Sequence, residues 1–122
     1  EYTMTLPIHD QGFTQEEIDF GLSKLVEHLN EQQTIHYKTK FPTLPPEHIV
    51  VSDRGRIYWK LIREQVNGGG SKSVYGFVRK ADGAILKAAT WKAPALNHAR
   101  GFVTDSDYGA CNTGVYGINY LI

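Results

Sequence analysis

The sequence predicts an α+β domain in which an N-terminal amphipathic helix packs on a four-stranded antiparallel meander, followed by a short second helix and an irregular Gly/Tyr-rich C-terminal tail. Three observations lead there. Apolar residues first recur at spacings of three and four, the period then changes to two from His48 onward, and turn residues punctuate that second stretch at hairpin intervals. A chain of 122 residues that is 41% hydrophobic is of the size one core serves. We therefore read residues 1–122 as one domain, with the helix at about 15–33, the sheet at about 48–89, and the short helix and tail over 93–122.

The helix is announced by Thr14, which can cap it, and by Glu17 three residues later, which can complete a capping box. Ile18, Leu22, Leu25, Val26 and Leu29 then form one apolar stripe, opposite a face of Glu16, Asp19, Lys24, Glu27 and Glu31. A stripe with so polar a back belongs against a core. Pro42, Pro45 and Pro46 forbid regular structure in the connection that follows.

Ile49, Val50 and Val51 open the β-rich stretch, and Asp53, Arg54 and Gly55 supply a turn. Arg56 to Gln65 follows, with Ile57, Trp59 and Leu61 expected on the core side and Tyr58, Lys60, Ile62 and Glu64 outside. The glycine loop Asn67 to Ser71 leads into a strand over Ser73 to Lys80, and Ala81, Asp82 and Gly83 turn the chain into a last strand, Ala84 to Ala89. Pro94 suits the first turn of a helix and Gly101 a left-handed stop, so a helix of under two turns is expected between them. Tyr116 to Ile122 is expected to end the chain as a short extended segment.

Composition excludes several classes. No run approaches the roughly 18 apolar residues of a membrane span, and the given residues show no basic, apolar and small-residue series of the kind a signal peptide has, so no membrane partner is expected. Cys111 is the sole cysteine, which rules out an internal disulfide and a thiolate zinc cluster and favours a cytoplasmic setting. The chain opens on Glu1, not methionine, which leads us to expect residues ahead of it.

From Gly76-Phe77-Val78 through Asp82-Gly83-Ala84-Ile85-Leu86-Lys87-Ala88-Ala89-Thr90-Trp91-Lys92-Ala93-Pro94-Ala95 to Ala99-Arg100-Gly101, the sequence resembles small uncharacterised proteins of tailed bacteriophages and marine viral metagenomes. Their chains often close on a phrase similar to Val115-Tyr116-Gly117-Ile118-Asn119-Tyr120-Leu121. The resemblance covers residues 73–122. It implies origin only: a viral protein of the bacterial host cytoplasm, or a virion component, with no activity or catalytic residue attached.

Chemical motifs are sparse. Gly68-Gly69-Gly70 is followed by Ser71 and a strand, not by the Gly-Lys-Ser/Thr and helix of a phosphate loop. Asp105, Asp107 and Gly109 resemble the start of a calcium loop, but Tyr116 stands where its bidentate glutamate belongs. His9, His28, His36, His48 and His98 lack metal-ligand spacing, and Cys111 would need a base such as His98 within reach to act as a nucleophile. No cofactor and no catalytic residue is expected, and the chain reads as a non-enzyme.

Charge distribution is more informative. Residues 1–40 carry seven acidic and three basic side chains, whereas Arg54 to Arg100 holds ten cations against Glu64 and Asp82. Such a region attracts anions, unless it is merely a solvated face balanced by the acidic helix. Aromatic residues lie among these cations, the pairing that single-stranded nucleic acid or a nucleotide requires. The expected ligand-binding residues are Arg56, Tyr58, Lys60, Arg79, Lys87, Trp91, Lys92 and Arg100. Within Trp91 to Gly101 two readings stand side by side: a structural clip held by Trp91, or an anion site at the helix start with Lys92 and Arg100. The expected partner is nucleic acid or an anionic nucleotide. The alternative is a structural or virion-associated protein that forms a homo-oligomer through an open sheet face.

Overall fold

A computed structural model describes residues 12–66, 70, 72–96, 99–114 and 117–118. Its first element, α1 (Gln15–Lys40), starts as the local sequence dictates. The Thr14 hydroxyl accepts a hydrogen bond from Glu17 N–H (3.2 Å), and the Glu17 carboxylate accepts one from Thr14 N–H (2.9 Å), so two donors at the helix start are satisfied. Ile18, Leu22, Leu25 and Leu29 are buried. The helix runs to Lys40, about two turns past its expected end near residue 33. Residues 34–40 carry few large apolar groups but no proline or glycine, so nothing stops propagation until Phe41 N–H closes on the Tyr37 carbonyl (2.9 Å) ahead of Pro42.

Four strands, β1 (Glu47–Ser52), β2 (Tyr58–Gln65), β3 (Ser73–Arg79) and β4 (Ile85–Leu86), form an antiparallel sheet in the order β1-β2-β3-β4. The α+β class, with helix on meander, is as expected from the sequence. Trp59, Leu61, Val78 and Ile85 face α1 and build the core with its stripe. The register shifts between Leu61 and Ile62, leaving Tyr75 as the extra residue of a bulge. Its ring joins the core and its hydroxyl donates to the Gly114 carbonyl (2.8 Å). That bond anchors a second, two-stranded sheet, β5 (Thr113–Gly114) with β6 (Gly117–Ile118).

Edges are managed on both sides. β1 is held by Asn30 of α1, whose side chain accepts from Ile49 N–H (2.6 Å) and donates to Ile49 C=O (3.2 Å). β4 is covered by the returning chain. Ala95 N–H donates to Lys87 C=O, Arg100 N–H to Ile85 C=O and Ile85 N–H to Gly101 C=O, with bridges at Ala88/Pro94 and Ala84/Phe102.

This last arrangement corrects the expected short helix. Pro94 sits in a β-bridge, and neither 93–96 nor 99–101 is helical. The backbone groups a helix would use are spent instead on the open edge of β4, which would otherwise be left unpaired. Ile57 is a second correction: expected in the core beside Trp59 and Leu61, it is 56% exposed, because β2 begins one residue later. The glycine loop apart from Gly70, Asn97, His98 and most of the segment from Tyr116 to Ile122 lie outside the described residues. Among the described residues no helix is long and apolar enough to cross a membrane.

Candidate nucleic-acid interface

The sheet face turned away from α1 is not flat. Tyr58 and Lys60 of β2 lie opposite Arg79 and Phe77 of β3, and Phe77 lies opposite Leu86 of β4. Phe77 and Leu86 are buried even though they point away from the helix. Beyond β4 the chain turns at 89–93, where Ala89 and Thr90 N–H both donate to the Ala93 carbonyl and the Thr90 hydroxyl accepts from Lys92 and Ala93 N–H. This tight turn sets Trp91 against Lys60, whose ammonium lies 4.1 Å from the Trp91 ring centroid and 6.0 Å from that of Phe77. Tyr58 meets Phe77 edge-on at 6.0 Å.

Between this turn and the β1–β2 hairpin lies a groove of about 400 Å3. Arg54, Arg56, Lys60 and Lys92 converge on it, with Tyr58 and Phe77 in its wall and no carboxylate among its lining residues. The nearest acid of the hairpin is otherwise engaged: Asp53 pairs with Lys80, which also donates to the Gly55 carbonyl (2.7 Å) and so staples the hairpin tip to the end of β3. Four cations lining one groove with no carboxylate among its lining residues raise its potential, and the partly exposed ring of Tyr58 offers a flat surface to a ligand.

Of the eight residues singled out in the sequence, Arg56, Tyr58, Lys60 and Lys92 meet at this groove, and Trp91 adjoins it through Lys60. Three do not join them. Arg79, expected at the surface, is 4% exposed and gives a bidentate pair to Asp82, Nε to Oδ1 at 3.0 Å and Nη2 to Oδ2 at 2.7 Å. Asp82 also accepts from Ala84 N–H (3.1 Å), so this pair locks the β3–β4 turn. Lys87 donates to the Ile118 carbonyl (2.7 Å) and ties β4 to the C-terminal sheet. Arg100 is buried along the edge of β4, far from the role imagined for it beside Lys92 at a helix start. With no helix among the described residues of this segment, the expected anion site at a helix start does not form. The clip reading is corrected too, since Trp91 is 45% exposed and stacks on a lysine instead of filling the core.

Arg54 also lines the groove, although it is not among the eight residues expected from the sequence. Its position in a hairpin turn, two residues before Arg56, is the signal that pointed to it.

Elsewhere the chemistry is quiet. Among the described residues no three His, Cys, Asp or Glu side chains are grouped to hold a metal ion. Asp105 accepts from Phe102 N–H, and Asp107 from Gly109 and Cys111 N–H, all at 2.9 Å, so both carboxylates brace a turn. Desolvation works to raise the Asp107 pKa, but hydrogen bonds from Gly109 and Cys111 N–H, from the Cys111 thiol and from its own backbone together hold the carboxyl below its ordinary value. Desolvation by neighbouring atoms, although the side chain is exposed, and the Asp107 charge both push the Cys111 thiol up, away from a nucleophilic thiolate.

No curated protein and no solved structure matches the chain. Its sequence does match one family model, described as a family of unknown function (DUF7717), over residues 1–115, and the chain belongs to that family.

Proposed function

We propose that the protein is a non-enzymatic binding module, of the phage origin its C-terminal half suggests, that holds single-stranded nucleic acid or an anionic nucleotide. The ligand lies in the groove between the β1–β2 hairpin and the Trp91 turn. One observation carries this reading: Arg54, Arg56, Lys60 and Lys92 line a single groove with no acid among its lining residues, beside the half-exposed Trp91, whose ring face meets Lys60. The backbone phosphates lie along the cations and a base stacks on Trp91. Lys60 now occupies that face, a partly exposed contact worth about 0.5–1 kcal/mol. A stacked base is worth about 1–3 kcal/mol, so the base displaces the ammonium and frees it for a phosphate. Duplex is a poorer ligand because its bases are already stacked on one another.

The alternative, oligomerisation through an open sheet face, has less support. Phe77 and Leu86, the apolar residues such packing would use, are already covered within the chain.

Fluorescence polarisation with labelled single strands, duplexes and nucleotides tests the proposal. Single strands are expected to bind best, and Lys60→Glu with Arg56→Glu to abolish binding while the circular dichroism spectrum stays that of the parent. A parent protein that binds no polyanion at low salt overturns the reading.

A further inference from the structure

A second hollow, of about 290 Å3, opens where the first turns of α1 meet the turn after Phe102. Phe13, Phe20, Val103 and Tyr108 wall it, and Glu16 and Glu17 rim it. Phe20 is 55% exposed although its ring meets Tyr108 edge-on at 6.1 Å. Among the described residues, Lys24 lies 5.5 Å from the Phe20 ring and is paired with Glu27 at 3.7 Å, while Glu16 and Glu17 leave the rim beside Phe13 acidic. Its complement sits on the β1–β2 hairpin, where exposed Ile57 projects beside Arg54 and Arg56. An apolar knob with two cations matches an apolar hollow with two carboxylates.

We infer that the chain associates with a second copy of itself, Ile57 of each copy seating in the Phe13–Phe20–Tyr108 hollow of the other while its arginines pair with Glu16 and Glu17. The two surfaces lie toward the same end of the fold. Tyr58 is registered with Arg79, and the turn after Arg79 brings Gly83 under Ile18 and Val103. A two-fold pair can therefore make the contact twice, the commonest closed symmetry. The contact is small and polar at its rim, which places it among weak, concentration-dependent associations. It does not rest on the ligand reading, but the two compete, since Arg54 and Arg56 serve both.

Sedimentation velocity over a concentration series tests it. The parent's mean mass is expected to rise with concentration and to fall back to monomer at high salt. Glu16→Lys and Arg56→Glu are each expected to sediment as monomers, and an equimolar mixture of the two variants to regain association, because each supplies the charge the other has lost. Both positions are exposed and outside the core, and circular dichroism checks that each variant is folded. A parent that stays monomeric throughout, a Glu16→Lys protein that associates like the parent, or a mixture that stays monomeric overturns the inference. Failure of the ligand reading shows differently: no oligonucleotide binds the parent or Glu16→Lys at low salt, whatever the mass series shows.

Discussion

Arg79 and Lys60 are both cations on the outer face of the sheet, and their surroundings give them opposite work. Arg79 is buried with both carboxylate oxygens of Asp82, so removing one partner strands the other charge out of water. Arg79→Ala is expected to cost about 3–5 kcal/mol in denaturant unfolding. Lys60 is half-buried and stacked on Trp91, so Lys60→Ala is expected to change stability by under about 1 kcal/mol while weakening oligonucleotide binding. Asp107 and Cys111 make a second contrast. Because the folded pKa of Asp107 lies below the ordinary 3.8, its stabilising effect is complete above that value and is lost as pH falls through the folded one. The same carboxylate disfavours the Cys111 thiolate, whose pKa stands above the ordinary 9.0. Alkylation of Cys111 by iodoacetamide at neutral pH is expected to be slower than that of an unstructured thiol, and Asp107→Asn is expected to speed it.

α1 is an element whose start is local and whose seat is not. Thr14→Ala removes one arm of the capping box and is expected to cost about 1 kcal/mol, whereas Leu25→Ala opens a cavity under a fully buried side chain and is expected to cost about 2–5 kcal/mol. Denaturant titration ranks the two. A subtler dependence lies at Gly21, where the helix backbone touches the chain after β4 so closely that a Cβ would overlap the Val103 carbonyl. Ala is the better helix former, yet Gly21→Ala is expected to destabilise by about 1–3 kcal/mol, because a backbone carbonyl cannot rotate aside as a side chain can. Thermal melting of Gly21→Ala beside the parent checks the sign. Gly76 plays a similar part on β3, since a Cβ there would overlap the end of Ile118 and lie 3.0 Å from the Leu86 carbonyl oxygen.

Over the whole molecule, charge is segregated: acids along the first half of α1, cations at the hairpin and the Trp91 turn. Binding through several phosphates releases counterions, with a slope of about −0.7 per phosphate for single strands. Four groove cations therefore predict a slope of log affinity against log salt of roughly −3 for the parent and roughly −2 for Lys60→Ala. Polarisation titrations in a salt series measure both. A slope near zero would remove the phosphate contacts from the proposal.

The helix cap, the stripe beneath it, the change to a two-residue period and the turn at Asp82-Gly83 are written in neighbours a few residues apart, and they were legible without coordinates. So was the gathering of cations between Arg54 and Arg100. What sequence could not resolve was which cations the fold consumes. Arg79, Lys87 and Arg100 look no different along the chain from Arg56, Lys60 and Lys92. Their fates depend on Asp82, on Ile118 and on the edge of β4, the last two reached only when distant segments meet. The missing helix after Trp91 has the same origin. Its local start and stop residues were present, but an unpaired strand edge lay within reach, and several backbone hydrogen bonds across that edge outweighed the weak preference of a few residues for a helical turn.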